Sequence, residues 1–181
     1  GGLSILHRNS GRIENFNQRN SRLINENVYA ILPDGENNFL LGTLSALVHF
    51  NPEKRSFTTV TQESDGTPMN LQKITTLFRD SQKRLWIGGE EGISVFKQHG
   101  TSIQKAAILP ESTVTKAFTN YIYEAANGLI WVGTREGFYC FNEKEKRIKR
   151  YTTANGLPNN VVYGILEDSY GRLWMSTNRR I

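Results

Sequence analysis

Histidine is the residue type in this chain best suited to metal binding, and it occurs at His7, His49 and His99. A transition-metal site needs three or four ligands that converge on one point, and no acidic or cysteine partner stands at ligand spacing from these histidines. Each histidine follows, or nearly follows, an apolar segment. We therefore expect solvated or edge positions for all three histidines, and no metal.

The single cysteine, Cys140, lies in the aromatic segment FYCF (138–141). A nucleophilic thiol needs a cationic, partly exposed setting, so these neighbours favour a buried and inert thiol. One cysteine excludes an intramolecular disulfide but does not exclude an oxidising compartment. The glycine-containing turns lack the Lys-Ser/Thr ending of a phosphate-binding loop. We expect no catalytic residue and no cofactor.

Two sets of residues recur at fixed positions along the chain. Asp34, Asp80 and Asp168 each open a polar turn, where an aspartate that caps its own backbone accounts for the recurrence. The three tryptophans, Trp86, Trp131 and Trp174, could offer aromatic platforms to sugars, but each is flanked by apolar residues. Their spacing instead favours an apolar core between repeated units.

The segment EKEKRIKRY (143–151) is strongly basic. In a strand, Lys146 and Arg150 would lie on one face and Arg147 and Lys149 on the other, which is typical of an outermost strand protected against pairing. The chain carries 22 Lys+Arg and 17 Asp+Glu, a formal charge of +5. Nucleic-acid binding would also need interleaved aromatic residues, which are not seen, so we expect no nucleic-acid partner.

The 181 residues correspond to one domain or a piece of one. No run of about 18 apolar residues is present, so we expect no direct membrane insertion. The opening GGLSILHRNS lacks the basic and then apolar pattern of a signal peptide. We expect the chain to be a segment of a longer protein.

An internal repeat organises the chain. The segments FLLGTLSALVHF (39–50), LWIGGEEGISVF (85–96), IWVGTREGFYCF (130–141) and LWMSTNRRI (173–181) align without gaps, down to Arg180 and Ile181. The anchor positions Leu40, Trp86, Trp131 and Trp174 are 46, 45 and 43 residues apart. Upstream of each anchor stands a β-branched or aromatic segment and a polar turn: VYAIL, ITTLF, FTNYIY and VVYGIL.

Each unit is therefore predicted to hold four antiparallel strands. The fourth and more polar strands are RIENF (12–16), RSFTTV (55–60), SIQKAAI (102–108) and RIKRYT (147–152). The helical period of apolar residues is absent. Four antiparallel strands repeated about every 45 residues are typical of β-propeller blades, so the predicted fold class is all-β.

The predicted blades are three whole units at 23–66, 67–113 and 114–156, with half blades at 1–22 and 157–181. About four blades of material fit either a closed four-bladed ring or a stretch of a larger ring, and we expect the stretch.

The repeat resembles the two-component regulator propeller repeat, whose pattern is Gly-Leu-Pro, a strand, an Asp-x-x-Gly turn, Leu-Trp-x-Gly-Thr and Gly-Leu. The last unit matches this pattern at Gly156, Leu157, Pro158, Asp168, Gly171, Leu173, Trp174 and Thr177. Ala125 replaces the aspartate in the unit before it, and the unit at 23–66 has Leu40 for the tryptophan and Ala46 for a glycine.

The resemblance implies an extracytoplasmic, periplasmic sensor segment of a hybrid two-component histidine kinase from a Bacteroides-like bacterium. Its implied partners are an oligosaccharide ligand, a neighbouring propeller of the same polypeptide and a second protomer in a homodimer.

Three functions remain open: a non-catalytic sensor, a propeller enzyme such as a lyase or glycosidase, and a protein-docking scaffold. Glycoside hydrolysis needs a carboxylate pair about 5–10 Å apart. The innermost predicted strands present Tyr29, Thr75, Asn120 and Tyr163 on one face, with no acid, which favours the sensor.

The residues predicted to contact a ligand or partner lie in loops, where a rigid scaffold carries variable side chains. Those in the second turns are Arg135, Glu136 and Asn178, and those in the connections between blades are Asn155 and Asn159.

Overall fold

The computed structural model describes residues 1–69, 71–109 and 116–178. The chain divides into two compact units, Gly1–Ile74 and Thr75–Ile181. Within the described ranges the only helix is one turn of 3-10 helix, Thr153–Asn155, and no helix there could cross a membrane. The remainder consists of strands and their connections.

The first unit contains a two-stranded sheet and a four-stranded sheet, both antiparallel. The strands are β1 (Leu3–His7), β2 (Arg12–Phe16), β3 (Val28–Pro33), β4 (Phe39–Thr43), β5 (Leu47–Asn51) and β6 (Ser56–Val60). Each strand pairs with the next along the chain, in the orders β1-β2 and β3-β4-β5-β6.

The second unit contains two four-stranded sheets and one two-stranded sheet. Its strands are β7 (Ile74–Arg79, whose first residue belongs to the first unit), β8 (Leu85–Gly89), β9 (Gly92–His99), β10 (Ser102–Lys105), β11 (Thr119–Glu124), β12 (Ile130–Thr134), β13 (Phe138–Asn142), β14 (Arg147–Tyr151), β15 (Val162–Glu167) and β16 (Leu173–Thr177). They form the sheets β7-β8-β9-β10, β11-β12-β13-β14 and β15-β16.

The first turn of each repeat requires one left-handed residue, three positions before the anchor. Gly128 and Gly171 occupy this position with φ of 79° and 74°, and Asn37 and Lys83 adopt 55° and 63° there. Glycine reaches this conformation without a steric penalty, whereas asparagine and especially lysine are held in it by the surrounding hairpin. The turn geometry is thus shared by repeats whose turn sequences differ.

Apolar residues from consecutive sheets form the cores. In the first unit the β1-β2 sheet packs on the four-stranded sheet through Leu3, Phe16, Leu41 and Phe50. In the second unit one core surrounds Trp86, and a smaller core joins Phe138 to Val162 and Ile165. Each sheet alone exposes two faces, so stacking on a neighbour supplies the apolar burial.

The predicted all-β fold with four-stranded antiparallel sheets is confirmed. The predicted strand RIENF matches β2 at both ends, whereas SIQKAAI is longer than β10. Ala106 N still donates to the carbonyl of Val95, but Ile108 N donates to the carbonyl of Ala106, two residues back, so the strand does not extend to Ile108.

The strands of each sheet lie inside one predicted unit range. The boundary predicted between 113 and 114, and the aligned residues Arg180 and Ile181, lie outside the described residues.

Candidate ligand-binding loops

Two kinds of loop share one end of the sheets in the second unit. In an antiparallel sheet the first strand begins at the end where the second strand finishes, so the second turns and the connections between sheets lie together. We call this end the loop face. It comprises the turn 134–137, the connection 152–161 and residue 178, and it holds all five predicted contact residues.

Arg135 and Glu136 form the tip of a rigid turn between β12 and β13. The Thr134 hydroxyl donates to the carbonyl of Gly137 at 2.8 Å and accepts from Glu136 N at 3.0 Å. A Cβ on Gly137, which has φ of 136°, would lie 2.6 Å from the carbonyl oxygen of Tyr151. The backbone is therefore fixed, while both tip residues are exposed.

The Arg135 guanidinium lies over an aromatic ring. Its Cζ is 3.8 Å from the centroid of Phe118, and Arg135 N donates to the carbonyl of Phe118 at 3.1 Å. A planar cation on an aromatic face is attracted by the ring quadrupole. This contact orients the arginine and leaves its side chain exposed at the loop face.

Glu136 is linked to the outermost strand of the same sheet. Arg150 Nε donates to the Glu136 carbonyl at 3.0 Å, and the Glu136 carboxylate lies 3.8 Å from the same guanidinium. Both side chains are exposed, so this ion pair adds little stability but positions two charges side by side. The basic segment is the outermost strand, as predicted, because β14 ends the order of its sheet.

Asn155 and Asn159 have local structural roles in the connection 152–161. The Asn155 side-chain oxygen accepts from Thr152 N at 3.0 Å and closes the capping box of the 3-10 helix. The Asn159 oxygen accepts from Val161 N at 2.8 Å. Both side chains hold the backbone of the connection through their oxygens, which accounts for asparagine at these positions.

Asn178 is joined to the same connection, since its backbone N donates to the carbonyl of Val161 at 3.2 Å. Asn155 and Asn159 thus lie in the connection 152–161, and Asn178 is hydrogen-bonded to the last residue of that connection. Arg135 and Glu136 lie on the neighbouring sheet's turn.

The opposite end of the sheets carries an aspartate network at the first turn. Asp80 is buried and accepts from Arg84 N at 2.8 Å, from Arg84 Nε at 2.6 Å and from Trp86 Nε1 at 2.7 Å. The predicted backbone cap is therefore confirmed, and the same carboxylate also fixes the indole. Burial alone would lower the pKa of Arg84, but its bonds to Glu143 and Asp80 raise that pKa.

Asp168 makes the same set of bonds in the last repeat. It accepts from Trp174 Nε1 at 2.9 Å and from Arg172 Nε at 2.7 Å. The indole hydrogen bond is the main cause that lowers the pKa of Asp168 to about 2, and the bonds from Arg172 and from the Tyr170 backbone add to it. Hydrogen bonds to the charged form favour ionisation.

Three glutamates that the sequence analysis did not single out link neighbouring sheets. Glu124 accepts from the backbone and hydroxyl of Ser81, both at 2.7 Å, and Glu167 accepts from Ala126 N at 2.8 Å. Glu143 accepts from Arg84 with both oxygens at 2.8 Å. Glu124 and Glu167 both stand seven residues before the repeat tryptophan, Trp131 or Trp174, so the repeat alignment shows that the two glutamates are equivalent.

The prediction of solvated or edge positions is wrong for His49, which is buried. His49 lies opposite Leu40 on the neighbouring strand, and its Nδ1 is 3.3 Å from the Asp34 carboxylate. Where Leu40 stands in place of the repeat tryptophan, this histidine supplies the missing contact to the turn aspartate. His99 is exposed, and His7 is half-buried beside Glu14.

Cys140 is half-buried rather than fully buried. Burial raises the pKa of its thiol, and Lys149 opposes that effect only in part. Across residues 1–69, 71–109 and 116–178, no three histidine, cysteine or acidic side chains cluster closely enough to hold a metal ion.

The tryptophans differ in burial although they share one repeat position. Trp86 is fully buried against the next sheet, and Trp131 is half-buried and stacks on Phe138 at 4.8 Å. The predicted core role is wrong for Trp174, which is 58% exposed.

The innermost strands of the second unit are joined by side chains. The hydroxyl of Thr75 donates to the carbonyl of Thr119, and Asn120 Nδ2 donates to the carbonyl of Val162 at 2.9 Å. These two polar residues therefore connect neighbouring sheets. Tyr163 is exposed on its strand, as is Tyr29 in the first unit.

Comparison with known proteins identifies the repeat. The sequence profile of the family described as Two component regulator propeller matches residues 68–91 and 156–179. Two segments of the chain therefore match the repeat that the sequence resembles. It is also 28% identical over 176 residues to histidine kinase P4 of Formosa agariphila, covering 93% of this chain and 13% of that protein.

Solved structures show the β-propeller fold for this repeat chain. The extracellular domain of a one component system from B. thetaiotaomicron is 21% identical, with a TM-score of 0.78 over 97% of this chain and 24% of that one. The extracellular domain of a hybrid two component system from the same organism is 22% identical, with a TM-score of 0.68 over 90% of this chain and 22% of that one. The chain therefore spans about a quarter of these domains.

Proposed function

We propose that this chain is a non-catalytic, ligand-sensing propeller segment in the extracytoplasmic part of a hybrid two-component histidine kinase. The observation that carries the proposal is that 93% of the chain aligns with a protein named as a histidine kinase and that two of its repeats match the regulator propeller family. The periplasm is the compartment that this role requires.

The ligand class that we propose is an oligosaccharide, bound at the loop face. The turn 134–137 presents a cation and an anion on a fixed backbone, beside the ring of Phe118. Sugars offer many hydroxyl groups, so charged hydrogen-bonding groups on a fixed backbone suit them.

Sensing requires that the ligand bind two arrangements of the protein with different affinity. A coupling of about 1–3 kcal/mol is typical for such linkage. The proposed partners in the parent protein are a neighbouring propeller and a second protomer, because relative movement at either junction would give the ligand two states to distinguish.

Binding of oligosaccharides to the chain tests this proposal. Isothermal titration with a panel of neutral and acidic oligosaccharides identifies a binder, and the double variant Arg135→Ala/Glu136→Ala is expected to weaken that binder at least tenfold. Lys144→Ala is the matched control, because Lys144 is an exposed charge in the turn at the opposite end of the same sheet. Equal affinity of the double variant and the control would refute the assignment of the loop face.

Asn155 and Asn159 need a different readout because their side chains also hold the backbone. Substitution there would change the loop itself, so thermal stability must be measured beside affinity. Asn178 lacks this complication: its described bond uses the backbone N, and Asn178→Ala keeps that group.

A propeller enzyme is the competing function. Glu124 and Glu167, at the ends of innermost strands, accept hydrogen bonds from backbone N–H groups of the preceding turns, which suits a structural role. Release of reducing ends or unsaturated products from polysaccharides by the purified chain would replace the sensor proposal. Binding of a protein partner without any oligosaccharide would favour the docking scaffold.

A further inference from the structure

The outermost strand β14 carries more positive charge than its place in the sheet requires. Three of its five residues are basic: Arg147, Lys149 and Arg150. In the other four-stranded sheets the outermost strands are nearly uncharged, since β6 has no charged residue and β10 has one lysine. Those strands also end the order of their sheets, so protection against pairing does not by itself account for three cations on β14.

The three cations are exposed because they lie on an outermost strand. By their cross-strand pairing, the equivalent residues of β6 in the first unit are Ser56, Thr58 and Thr59. Ser56 and Thr58 are exposed and Thr59 is half-buried, although further sheets precede and follow theirs along the chain. Exposure of these positions is therefore a property that two sheets share.

Two of the cations are oriented by neutral groups. Arg150 Nε donates to the Glu136 carbonyl at 3.0 Å, and its Cζ lies 5.6 Å from the ring centroid of Tyr139. Lys149 Nζ lies 4.7 Å from the ring centroid of Tyr151. A carbonyl or an aromatic face attracts a cation without cancelling its formal charge. The strand thus holds its cations in place and leaves them able to attract an anion.

The nearby acids neutralise this strand only in part. The Glu136 carboxylate lies 3.8 Å from the Arg150 guanidinium, and the Glu145 carboxylate lies 3.7 Å from that of Arg147. All four side chains are exposed, so water screens both ion pairs. Lys149 has no ion pair with any residue that the structure describes. The outer edge of the sheet therefore keeps a positive surface.

A row of cations along a strand fits a linear polyanion. Arg147 and Lys149 share one face of the strand, about 7 Å apart along its axis, and Arg150 lies on the other face. Guanidinium groups donate paired N–H groups that match the oxygens of carboxylates and sulfates.

The same strand suits other polyanions less well. The rings of Tyr139 and Tyr151 already lie against cations, so they offer no open platform on which nucleic-acid bases could stack. The strand also exposes no large apolar side chain that could enter a bilayer. These observations favour an acidic polysaccharide over a nucleic acid or a lipid surface.

We propose that β14 binds an anionic oligosaccharide, composed of uronic acid or sulfated sugars, and that Arg147, Lys149 and Arg150 hold its acidic groups. Because Arg150 also bonds the Glu136 carbonyl of the loop face, the same ligand extends from the loop face along the strand. This inference rests on the proposed function and narrows its ligand class from oligosaccharides in general to anionic ones.

Isothermal titration with three hexasaccharides tests the proposal. The probes are a hexamer of galacturonic acid, a sulfated galactose hexamer and a neutral galactose hexamer. The wild-type chain is expected to bind at least one anionic hexamer and not the neutral one, and the anionic hexamer that binds distinguishes a carboxylate ligand from a sulfate ligand. Binding should weaken as the ionic strength rises from about 0.05 M to about 0.5 M, because salt screens exposed charges.

A triple variant, Arg147→Ser/Lys149→Thr/Arg150→Thr, removes the cations of β14. It gives the strand the residues that β6 has at the same positions, so the sheet is expected to fold. Binding of the anionic hexamer should weaken about tenfold or more. Arg147→Glu is a second variant, whose site is safe for folding because the side chain is 79% exposed, and it should weaken the same binding.

The matched control is the triple variant Arg8→Ser/Arg22→Thr/Lys97→Thr. It removes the same three positive charges, again two arginines and one lysine, from exposed positions outside β14. This control should bind the anionic hexamer like the wild type. A loss of affinity as large as that of the β14 variant would show that net charge sets the affinity, and would refute the assignment to the strand.

The outcomes separate this inference from the proposed function. Unchanged binding in the β14 variant, with binding lost in Arg135→Ala/Glu136→Ala, would overturn the role of β14 and leave the loop face as the ligand site. Binding of the neutral hexamer alone would overturn the anionic ligand class. Binding of a single-stranded oligonucleotide or of phosphatidylglycerol vesicles, with neither anionic hexamer bound, would give β14 a different partner and refute the proposal.

Discussion

Replacing Asp80 by alanine tests whether the aspartate of the first turn stabilises the second unit through its buried bonds. The change removes the acceptor for Trp86 Nε1, Arg84 Nε and Arg84 N, with Asp80 only 4% exposed. Loss of one partner from a buried ion pair costs about 3–5 kcal/mol. Arg84 keeps both of its bonds to Glu143, so we expect the lower end, about 3 kcal/mol.

The assay is urea unfolding followed by circular dichroism. With a slope of about 1–3 kcal/mol per molar urea, the midpoint of the second unit should fall by roughly 1–3 M. Two compact units need not unfold in one step, so the transition that also changes the tryptophan fluorescence is the one to compare, because all three tryptophans lie in the second unit. Asp80→Asn preserves the volume and one acceptor and should lose less.

Asp168→Ala is the matched comparison because the half-buried Asp168 makes the same bonds to Arg172 and Trp174, whose side chains are exposed. Solvent can replace those bonds, so its loss of stability should be much smaller. Equal midpoint shifts in the two alanine variants would refute the reasoning that burial sets the magnitude.

Three further predictions concern single residues. The pKa of Asp168 should be about 2 in the folded chain, below its unfolded value. The stability that Asp168 supplies is therefore complete above about pH 4 and is lost as the pH falls through 2. Carbon-detected NMR of the carboxyl group measures this pKa, and the Trp174→Phe control should raise it. Gly88→Ala should lower the free energy of unfolding by about 1–3 kcal/mol, because the new Cβ would lie 2.6 Å from a neighbouring threonine methyl. The control in the same thermal melts is Gly164→Ala, whose Cβ meets only a serine hydroxyl at 3.1 Å. An equal loss of stability in the control would contradict the packing argument. Cys140 should react with a disulfide reagent more slowly at pH 8 than a free thiol, since burial raises its pKa, and a rate equal to that of the denatured chain would show that the raised pKa is wrong.

The repeat predicts the positions of the contact residues but not all of their hydrogen bonds. The repeat placed Arg135, Glu136 and Asn178 in second turns; Arg135 and Glu136 lie between β12 and β13, and Asn178 directly follows β16. It did not reveal that Asn155 and Asn159 bond the backbone, because such bonds depend on the path of an irregular connection. No periodic pattern encodes that path.

For the contacts between sheets, too, the repeat predicts the positions of the residues but not their partners. The position of each tryptophan was readable from spacing alone, but its neighbour was not. Glu124 and Glu167 also recur at one offset, yet their role became clear only when they were seen to accept N–H groups from the turn of the preceding sheet. A one-dimensional repeat specifies which residues are equivalent and leaves their partners open.

The period, the strand order and the turn positions follow from local patterns in the sequence, because alternating apolar residues and left-handed turn residues act within a few neighbours along the chain. The burial of Trp86, the exposure of Trp174 and the contact of His49 with Asp34 where a tryptophan is missing depend on long-range packing. Burial and partner choice depend on which sheet packs over a face, and that is a property of residues far apart in sequence.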